Sequence, residues 1–107
     1  MATNTPVTRS PARYAVIDVG TNSVKFLVAE RVGDGRWVTI RDRTDVTRLG
    51  EGLARSGDIS PVATGRTADA IAAMVADAQA DGALAIAAVG TAAFRIAGNR
   101  DAVVAAI

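Results

Sequence analysis

Residues 14–31 read YAVIDVGTNSVKFLVAER, and this stretch decides the fold. Tyr14 to Val19 form a short apolar run with the length of a buried strand. Val24 to Arg31 form a second run, with apolar residues on both of its faces. The four residues between them, Gly20-Thr21-Asn22-Ser23, leave room for a tight loop and nothing longer. The stretch therefore predicts two neighbouring strands that pair antiparallel.

A third strand is predicted from Arg36 to about Val46, after the turn Gly33-Asp34-Gly35. Glycine and aspartate tolerate the positive φ that such turns need. Val38 and Ile40 alternate with more polar neighbours, so we expect one face of this strand to be wetter. The three strands together predict an antiparallel meander.

A helix is predicted to begin at Ser60-Pro61, with the serine as N-cap and the proline in the first helical position. Its apolar stripe recurs at helical spacing and consists of Ile71, Met74, Val75 and Ala78. Asp81-Gly82 end it, because glycine suits a left-handed cap. The preceding segment, residues 49–53, is rich in glycine and is interpreted as a loop.

The uninterrupted apolar run Ala83 to Val89 predicts a fourth strand, which we expect to be buried on both faces. The preceding helix can serve as the crossover that lets this strand lie parallel in the same sheet. Asn99 is expected to cap a last helix that carries Val103, Val104 and Ile107. The resulting order, β-β-β-α-β-α, is that of the ribonuclease-H-like α/β fold with a mixed sheet, which the actin-like ATPase superfamily shares.

The chain of 107 residues has room for at most one small domain. Half of the residues are apolar but only 4% are aromatic, so the core must be thin and aliphatic. Residues 1–12 are polar and contain two prolines, and we expect them to be a disordered tail. Residues 13–107 then form the domain. Its last helix carries no stop signal, so we expect it to be the first part of a larger, truncated domain.

Composition also excludes several functions. Acidic and basic residues are mixed along a chain of net charge +1, which predicts no nucleic-acid partner. The absence of cysteine and histidine excludes disulfides, thiol nucleophiles, histidine bases and the usual zinc sites. A metal would have to be a hard cation held by oxygens, such as Mg²⁺. No apolar run predicts a membrane span or a signal peptide, so a cytoplasmic protein is expected.

The loop after the first strand is the first candidate site. Asp18 ends a buried strand, and Gly20 lets the backbone bend and lets an anion approach closely. Thr21, Asn22 and Ser23 add hydroxyl and amide donors, a combination that suits a phosphate. Asp18 could hold Mg²⁺ or orient a water molecule nearby. The alternative is an ordinary hairpin turn whose aspartate bonds the turn amides.

Two further segments are candidates for the same anion. Arg48 stands beside the glycine-rich loop, where an arginine can pair with phosphate. Thr91 and Arg95 follow the predicted parallel strand, at the sheet edge where open α/β sheets place their ligands. The alternatives are an exposed charge on a turn for Arg48, and a capping threonine with a solvated arginine for the other two.

Three stretches in order resemble the exopolyphosphatase / guanosine pentaphosphate phosphatase (Ppx/GppA) family. They are AVIDVGTNSVKFLVAE, VTRLGEGLARSGDISPVATGRT and AVGTAAFRIAGNRDAV, and they cover nearly everything after the tail. The resemblance implies an actin-like fold with a cleft between two lobes. It also implies hydrolysis of the terminal phosphate of polyphosphate or of the 5′ phosphate of guanosine pentaphosphate, usually with Mg²⁺.

By position, the resemblance makes Asp18, Gly20, Thr21, Asn22 and Ser23 the first phosphate loop. It directs Arg48 and Arg95 toward the anionic substrate and gives Asn99 a recurrent position. In the family, the catalytic glutamate and a second phosphate loop lie beyond the position of residue 107. We therefore expect the chain to bind phosphate without turnover.

Three rival functions stay open at this stage. A sugar or acetate kinase of the same superfamily also begins with an Asp-x-Gly-Thr segment. A ribonuclease-H-like nuclease would use Asp18 as a metal ligand in mid-strand, joined by carboxylates such as Glu30, Asp42 and Asp45. A non-catalytic half-domain, pairing with itself as a homodimer or with another chain, would fit the thin core and the unterminated helix.

Overall fold

The computed structural model describes residues 12–90 and 98–107. The predicted element order is confirmed, with one short helix added between the third strand and the long helix. The strands are β1 (Ala12–Val19), β2 (Ser23–Arg31), β3 (Trp37–Val46) and β4 (Ala83–Gly90), and the helices are α1 (Leu53–Ser56), α2 (Pro61–Ala80) and α3 (Arg100–Ala106).

One mixed sheet of order β3-β2-β1-β4 organises the molecule. β1 pairs antiparallel with β2, and β2 pairs antiparallel with β3, as the predicted meander requires. β4 returns beside β1 and runs parallel to it, with Val19 opposite Gly90 at the carboxyl end. The mixed α/β fold predicted from the sequence is thus confirmed, and α2 is the crossover that makes the parallel pair possible.

The core lies between one face of the sheet and α2. Every second residue of β1 from Ala15 to Val19, and of β2 from Val24 to Val28, is buried toward the helix, as strand geometry dictates. Ile17, Val24, Phe26 and the helical Met74 are each at most 1% exposed. The predicted apolar stripe of α2 is therefore the inner face of the helix, and the core is aliphatic apart from one phenylalanine.

Both predicted ends of α2 are confirmed. The side chain of Ser60 accepts a hydrogen bond from the backbone N–H of Ala63 at 3.0 Å, which satisfies one of the free donors of the first turn. At the other end, Gly82 adopts φ +81°, the left-handed conformation expected of a glycine after a helix.

The expected burial of β4 on both faces is wrong. Leu84 is 64% exposed and Val89 is 50% exposed, although the strand is apolar throughout. The reason is its position, because β4 is the edge strand and pairs on one side with β1. Among residues 12–90 and 98–107, no strand lies on its other side. Strand composition indicated a buried strand, but burial is set by neighbours outside the strand itself.

β3 forms the opposite edge and is attached to α2 by ion pairs. Trp37, Val38 and Ile40 are all exposed, so the expected contrast between two faces is missing in the first half of the strand. In the second half, Nε and Nη2 of Arg41 donate to the two carboxylate oxygens of Asp81, at 2.7 and 2.9 Å. The polar half of β3 is therefore the half that packs toward the helix.

A second arginine of β3 strengthens this contact. Nη1 of Arg43 donates to Asp77 at 2.7 Å, and its guanidinium lies 5.5 Å from the centre of the buried Phe26 ring. The arginine thus covers the aromatic edge of the core while its charge is paired.

Asn99 stands at the start of α3, but its side chain does not cap the helix as expected. Instead it binds the backbone of Ile59 twice, accepting from its N–H at 3.0 Å and donating to its carbonyl at 2.9 Å. The backbone N–H of Gly98 also donates to the carbonyl of Gly57, at 2.9 Å. These bonds fix the start of α3 against the segment that precedes α2.

Within the described residues, no helix is long and apolar enough to cross a membrane. The predicted tail falls on residues that the structure does not describe, apart from Ala12, which begins β1 two residues before the predicted start.

The Arg41–Asp81 pair predicts a specific dependence of stability on pH. The hydrogen bond from Arg41 holds the pKa of Asp81 below its ordinary value of 3.8. A lowered pKa stabilises the fold above the unfolded-state pKa, and this contribution is lost as pH falls through the folded-state pKa. Asp81→Asn should therefore lower the free energy of unfolding in urea at pH 7, and its difference from the parent chain should shrink below about pH 4. Asp69→Asn, at an exposed position of α2, is the control. Equal effects of the two variants at pH 7 would contradict the role given to the pair.

The Asn99 side chain predicts a second stability effect. Asn99→Ala leaves the N–H and carbonyl of Ile59, a residue 1% exposed, without their partners. The expected loss in the free energy of unfolding is about 1–3 kcal/mol, the usual consequence of unsatisfied buried polar groups. Asn22→Ala, at an exposed loop position, is the matched control and should change stability by less than about 0.5 kcal/mol. A loss no larger than that of the control would show that the two hydrogen bonds between Asn99 and Ile59 do not contribute to stability.

Candidate functional site

The loops at one edge of the sheet form the candidate site. β1 and β4 both end there, as the parallel pairing of Val19 with Gly90 shows. β2 begins and β3 ends at the same edge, where Ser23 lies opposite Val46. Open α/β sheets place their ligands at the carboxyl ends of their parallel strands. The loop after β1 and the loop after β3 are therefore neighbours at this edge.

The turn between β1 and β2 is tight and depends on its glycine. The N–H of Gly20 donates to the carbonyl of Ser23 at 2.9 Å, which closes the turn. A Cβ at position 20 would lie 2.7 Å from that carbonyl oxygen, closer than such contacts allow. Thr21 and Asn22 project from the turn and are exposed. Among the described residues, no acceptor binds their backbone N–H groups, which remain available to a ligand.

Two backbone hydrogen bonds join this turn to the loop after β3. The N–H of Arg48 donates to the carbonyl of Asn22 at 2.9 Å, and the N–H of Gly50 donates to the carbonyl of Thr21 at 2.8 Å. The approach is close, since a Cβ at position 50 would lie 3.2 Å from the Cβ of Thr21. The two segments singled out in the sequence thus form one structural unit.

A cleft of about 300 Å³ lies between the joined loops. Its lining consists of Thr21, Asn22, Arg48, Gly50 and Glu51. A hydroxyl, a side-chain amide, two free backbone donors and a guanidinium make a site suited to an anion with several oxygens. The carboxylate of Glu51 is the opposing charge in this cleft.

Arg48 is held in an unusual backbone conformation. Its φ of +53° is in the left-handed region, where residues other than glycine and asparagine are uncommon. Its side chain is exposed and has no hydrogen bond or ion pair among the described residues. An arginine with a constrained backbone and an unpaired charge is available to bind a ligand.

Arg66, on α2, lies behind this cleft and contacts the loop after β3, and it was not among the residues predicted from the sequence. Its Nε donates to the carbonyl of Thr47 at 2.8 Å, and its Nη2 lies 3.6 Å from a carboxylate oxygen of Glu51. The sequence carried no clear signal for it, because the acceptors of its hydrogen bonds are the backbone carbonyls of Thr47 and Arg48.

Asp18 occupies a different position from the other candidates. It is the second-last residue of β1 and half buried, and by alternation it lies on the sheet face opposite α2, beside Lys25 of β2. It does not line the cleft that contains Thr21 and Arg48. Its location at the strand end, rather than in mid-strand, removes the feature that would have favoured a nuclease.

The metal prediction rests on Asp18 by itself. Among residues 12–90 and 98–107, no three acidic side chains group together as metal ligands, and Glu30, Asp42 and Asp45 do not converge on Asp18. One carboxylate fits Mg²⁺ when phosphate oxygens and water supply the remaining ligands, which is the usual arrangement for that ion. It does not fit a metal site made entirely of protein groups.

A second cleft, of about 360 Å³, opens beside the end of β4. Val19, Ile71, Val89, Val104 and Ile107 are among the residues that line it. This lining is apolar and gives no binding group for phosphate. Thr91 and Arg95, the remaining predicted site residues, lie outside the described residues.

Comparisons with known proteins agree with the fold. No family model matches the chain. Exopolyphosphatase 2 of Mycobacterium tuberculosis is 36% identical over 62 residues, which are 55% of this chain and 19% of that protein. A crystal structure of the Aquifex aeolicus member of the Ppx/GppA protein family superposes with a TM-score of 0.82 and 26% identity, over 88% of this chain and 30% of that one.

An exopolyphosphatase from Cytophaga hutchinsonii gives a TM-score of 0.81 at 27% identity, over 87% of this chain and 30% of that one. The fold is thus the actin-like α/β fold. In sequence and in structure, the chain corresponds to the N-terminal part of the Ppx/GppA family, as the three stretches indicated. It spans less than a third of the length of these relatives.

Gly20 and Gly65 predict opposite outcomes for the same substitution. Gly20→Ala would force a Cβ against the carbonyl oxygen of Ser23, and we expect a loss of about 1–3 kcal/mol in the free energy of unfolding. Gly65 lies inside α2, and no neighbouring atom lies within 4 Å of the place that a Cβ would occupy there. Gly65→Ala should therefore gain about 0.5–1 kcal/mol. Urea unfolding measures both, and a Gly20→Ala variant as stable as the parent would contradict the tight turn.

Proposed function

We propose that this chain provides the first phosphate-binding loop of a phosphatase that hydrolyses phosphoanhydrides. The substrate class is a linear chain of phosphates, either inorganic polyphosphate or the 5′ phosphates of guanosine pentaphosphate. The named relatives include exopolyphosphatases, which supports this substrate class. In this proposal, the turn of Gly20, Thr21, Asn22 and Ser23 contacts the phosphate that lies nearest to the sheet edge.

The observation that carries the proposal is the joining of the two loops. Thr21 and Asn22 bring free donors, and the backbone hydrogen bonds to Arg48 and Gly50 place an unpaired guanidinium on the same cleft. Phosphate is bound well by this combination, since charge-assisted hydrogen bonds to its oxygens are short and strong. A simple hairpin turn would not require contact with a second loop that carries an arginine.

The proposal also includes a magnesium ion held by Asp18. When bound, Mg²⁺ would neutralise charge on the phosphate oxygens. Asp18 is the residue of this chain that would hold it, directly or through water. Asp18 is separated by Val19 alone from the turn between β1 and β2. A cation held by its carboxylate would therefore be near an anion bound at that turn.

Binding without turnover is the expected behaviour of residues 1–107. Phosphoryl transfer needs positioning, charge neutralisation and a group that orients the attacking water. The resemblance puts that glutamate beyond the position of residue 107. Thr91 and Arg95, which follow Gly90 in the sequence, are proposed to complete the anion site.

A cytoplasmic location and a homodimer complete the proposal. The exposed, uncharged edge of β4 supports self-association, because an apolar edge strand can pair with a second strand.

Arg48→Asn tests the binding function. Asparagine tolerates the left-handed backbone of this position, so the variant removes the guanidinium without adding backbone strain. We expect its affinity for inorganic tripolyphosphate to fall by about tenfold, since a hydrogen bond to a charged group contributes roughly 1.5–3 kcal/mol. Isothermal titration calorimetry at about 0.1 M ionic strength is the measurement, because the Debye length of about 10 Å then limits the effect of distant charges.

Arg36→Asn is the matched control, since it removes one positive charge from the turn before β3. It should leave the affinity within about twofold of the parent chain, because distant exposed charges are screened. Equal losses of affinity in the two variants would show that binding depends on net charge and not on Arg48 itself. Absence of any binding by the parent chain would remove the proposed function.

A further inference from the structure

An arginine of α2 holds the loop that carries Arg48. Nε of Arg66 donates to the carbonyl of Thr47 at 2.8 Å, and Nη2 donates to the carbonyl of Arg48 at 3.3 Å. The same Nη2 lies 3.6 Å from a carboxylate oxygen of Glu51. One side chain therefore contacts three positions of the segment between β3 and α1, and it does so from the helix that forms the other half of the core.

The backbone of Arg48 is where such support matters. Its φ of +53° is unfavourable for an arginine, so the surrounding contacts must maintain it. Its N–H is bound by the carbonyl of Asn22, and its carbonyl accepts from the N–H of Glu51 at 3.0 Å and from Arg66. The left-handed residue is thus fixed on its N–H side by the β1–β2 turn and on its carbonyl side partly by α2.

The charge of Arg66 has a second effect in the same place. Glu51 lines the cleft, and its carboxylate would repel a bound anion. Arg66 does not line that cleft, but its guanidinium is close enough to Glu51 to offset this repulsion. The arginine therefore acts on both the geometry and the electrostatics of the anion cleft without touching a ligand in it.

We propose that Arg66 is a positioning residue for the anion site. It holds the Arg48 turn against the β1–β2 turn and offsets the charge of Glu51. The binding part of this inference rests on the proposed function, whereas the structural part does not depend on any ligand.

Binding of inorganic tripolyphosphate by three variants of the whole chain tests the inference. Arg66→Ala loses both effects, and its affinity should fall by about tenfold. Arg66→Lys keeps a charge beside Glu51 but lacks the fork that reaches two carbonyls, so its loss should be intermediate. Arg55→Ala, which removes an exposed charge from α1, should stay within about twofold of the parent. A loss in Arg66→Ala no greater than in Arg55→Ala would overturn the proposal.

A double variant separates charge from geometry. If repulsion by an unpaired Glu51 contributes to the loss, Glu51→Gln should recover part of the affinity in the Arg66→Ala background. The recovery should exceed the effect of Glu51→Gln in the parent chain, because contacting residues are not additive. Purely additive effects would overturn the electrostatic part.

Amide hydrogen exchange of the ligand-free chain tests positioning directly. In Arg66→Ala the amides of Arg48 and Gly50 should exchange at least several-fold faster, because their bonds to the β1–β2 turn open more often. The amides of Ile17 and Phe26, in the centre of the sheet, should keep their rates. Unchanged exchange at Arg48 and Gly50 would overturn the proposal whatever the binding data show.

The two readouts also separate this inference from the proposed function. Faster exchange together with an absence of tripolyphosphate binding by the parent chain would leave the positioning role in place and remove the phosphate function. If Arg66→Ala does not fold, Arg66→Lys carries both measurements, with parental affinity and parental exchange as the overturning result.

Discussion

Two backbone hydrogen bonds, between Arg48 and Asn22 and between Gly50 and Thr21, make the site possible. Without them the two loops would be separate surface turns, and an arginine beside a glycine-rich segment would be an ordinary solvated charge. The bonds form because β2 and β3 pair antiparallel, which brings the start of one strand and the end of the other to the same edge. The site is therefore a consequence of strand pairing, and its donors do not come from the beginning of a helix.

The same pairing explains why small residues stand at the contact points. A side chain at position 20 would meet the carbonyl oxygen of Ser23 at 2.7 Å, and one at position 50 would meet Thr21 at 3.2 Å. Close approach of two backbones leaves the threonine and asparagine side chains directed outward, as their exposure shows. The close packing of the two loops excludes larger residues between them and leaves the polar side chains of Thr21 and Asn22 at the sheet edge.

The sequence predicted the local elements well, because their signals are local. Ser60-Pro61 starts α2 and Gly82 follows it with the predicted left-handed φ, and both features depend on nearby backbone geometry. The exposure of β4 was not predictable in this way, since an apolar strand at an edge has the same composition as one in the centre. The apolar composition of a strand indicates that it tends to be buried, but the order of strands in the sheet decides whether another strand covers its edge.

The site was predictable to the extent that its residues lie in loops with recognisable chemistry. Thr21, Asn22 and Arg48 carry such chemistry and do line one cleft. Arg66 could not be found in the same way, because its partners are backbone carbonyls 19 and 18 residues earlier, and backbone atoms leave no mark in a sequence. Asn99 illustrates the same limit, since its side chain binds the backbone of Ile59, 40 positions away, rather than its own helix.

Among residues 12–90 and 98–107, the layering is one-sided. One face of the sheet is covered by α2, while Tyr14, Val16 and Leu27 on the other face are each more than a third exposed. Tyr14 packs its ring edge-on against Trp37 at 5.8 Å, which shields part of this face within the sheet itself. Exposed apolar area of this kind is typical of a surface that packs against another element or a partner.

The distribution of arginine partners distinguishes structural charges from the charge at the site. Arg13, Arg41 and Arg43 each bind a carboxylate at 2.7 or 2.8 Å, and these pairs attach strands to one another or to α2. Arg48 has no such partner among the described residues. Its backbone nevertheless has a φ of +53°, and both its N–H and its carbonyl are hydrogen-bonded. This backbone, held in an unfavourable conformation, presents an unpaired guanidinium next to free amide and hydroxyl donors. In the proposed function, an anion in the cleft supplies the acceptor oxygens for these donors.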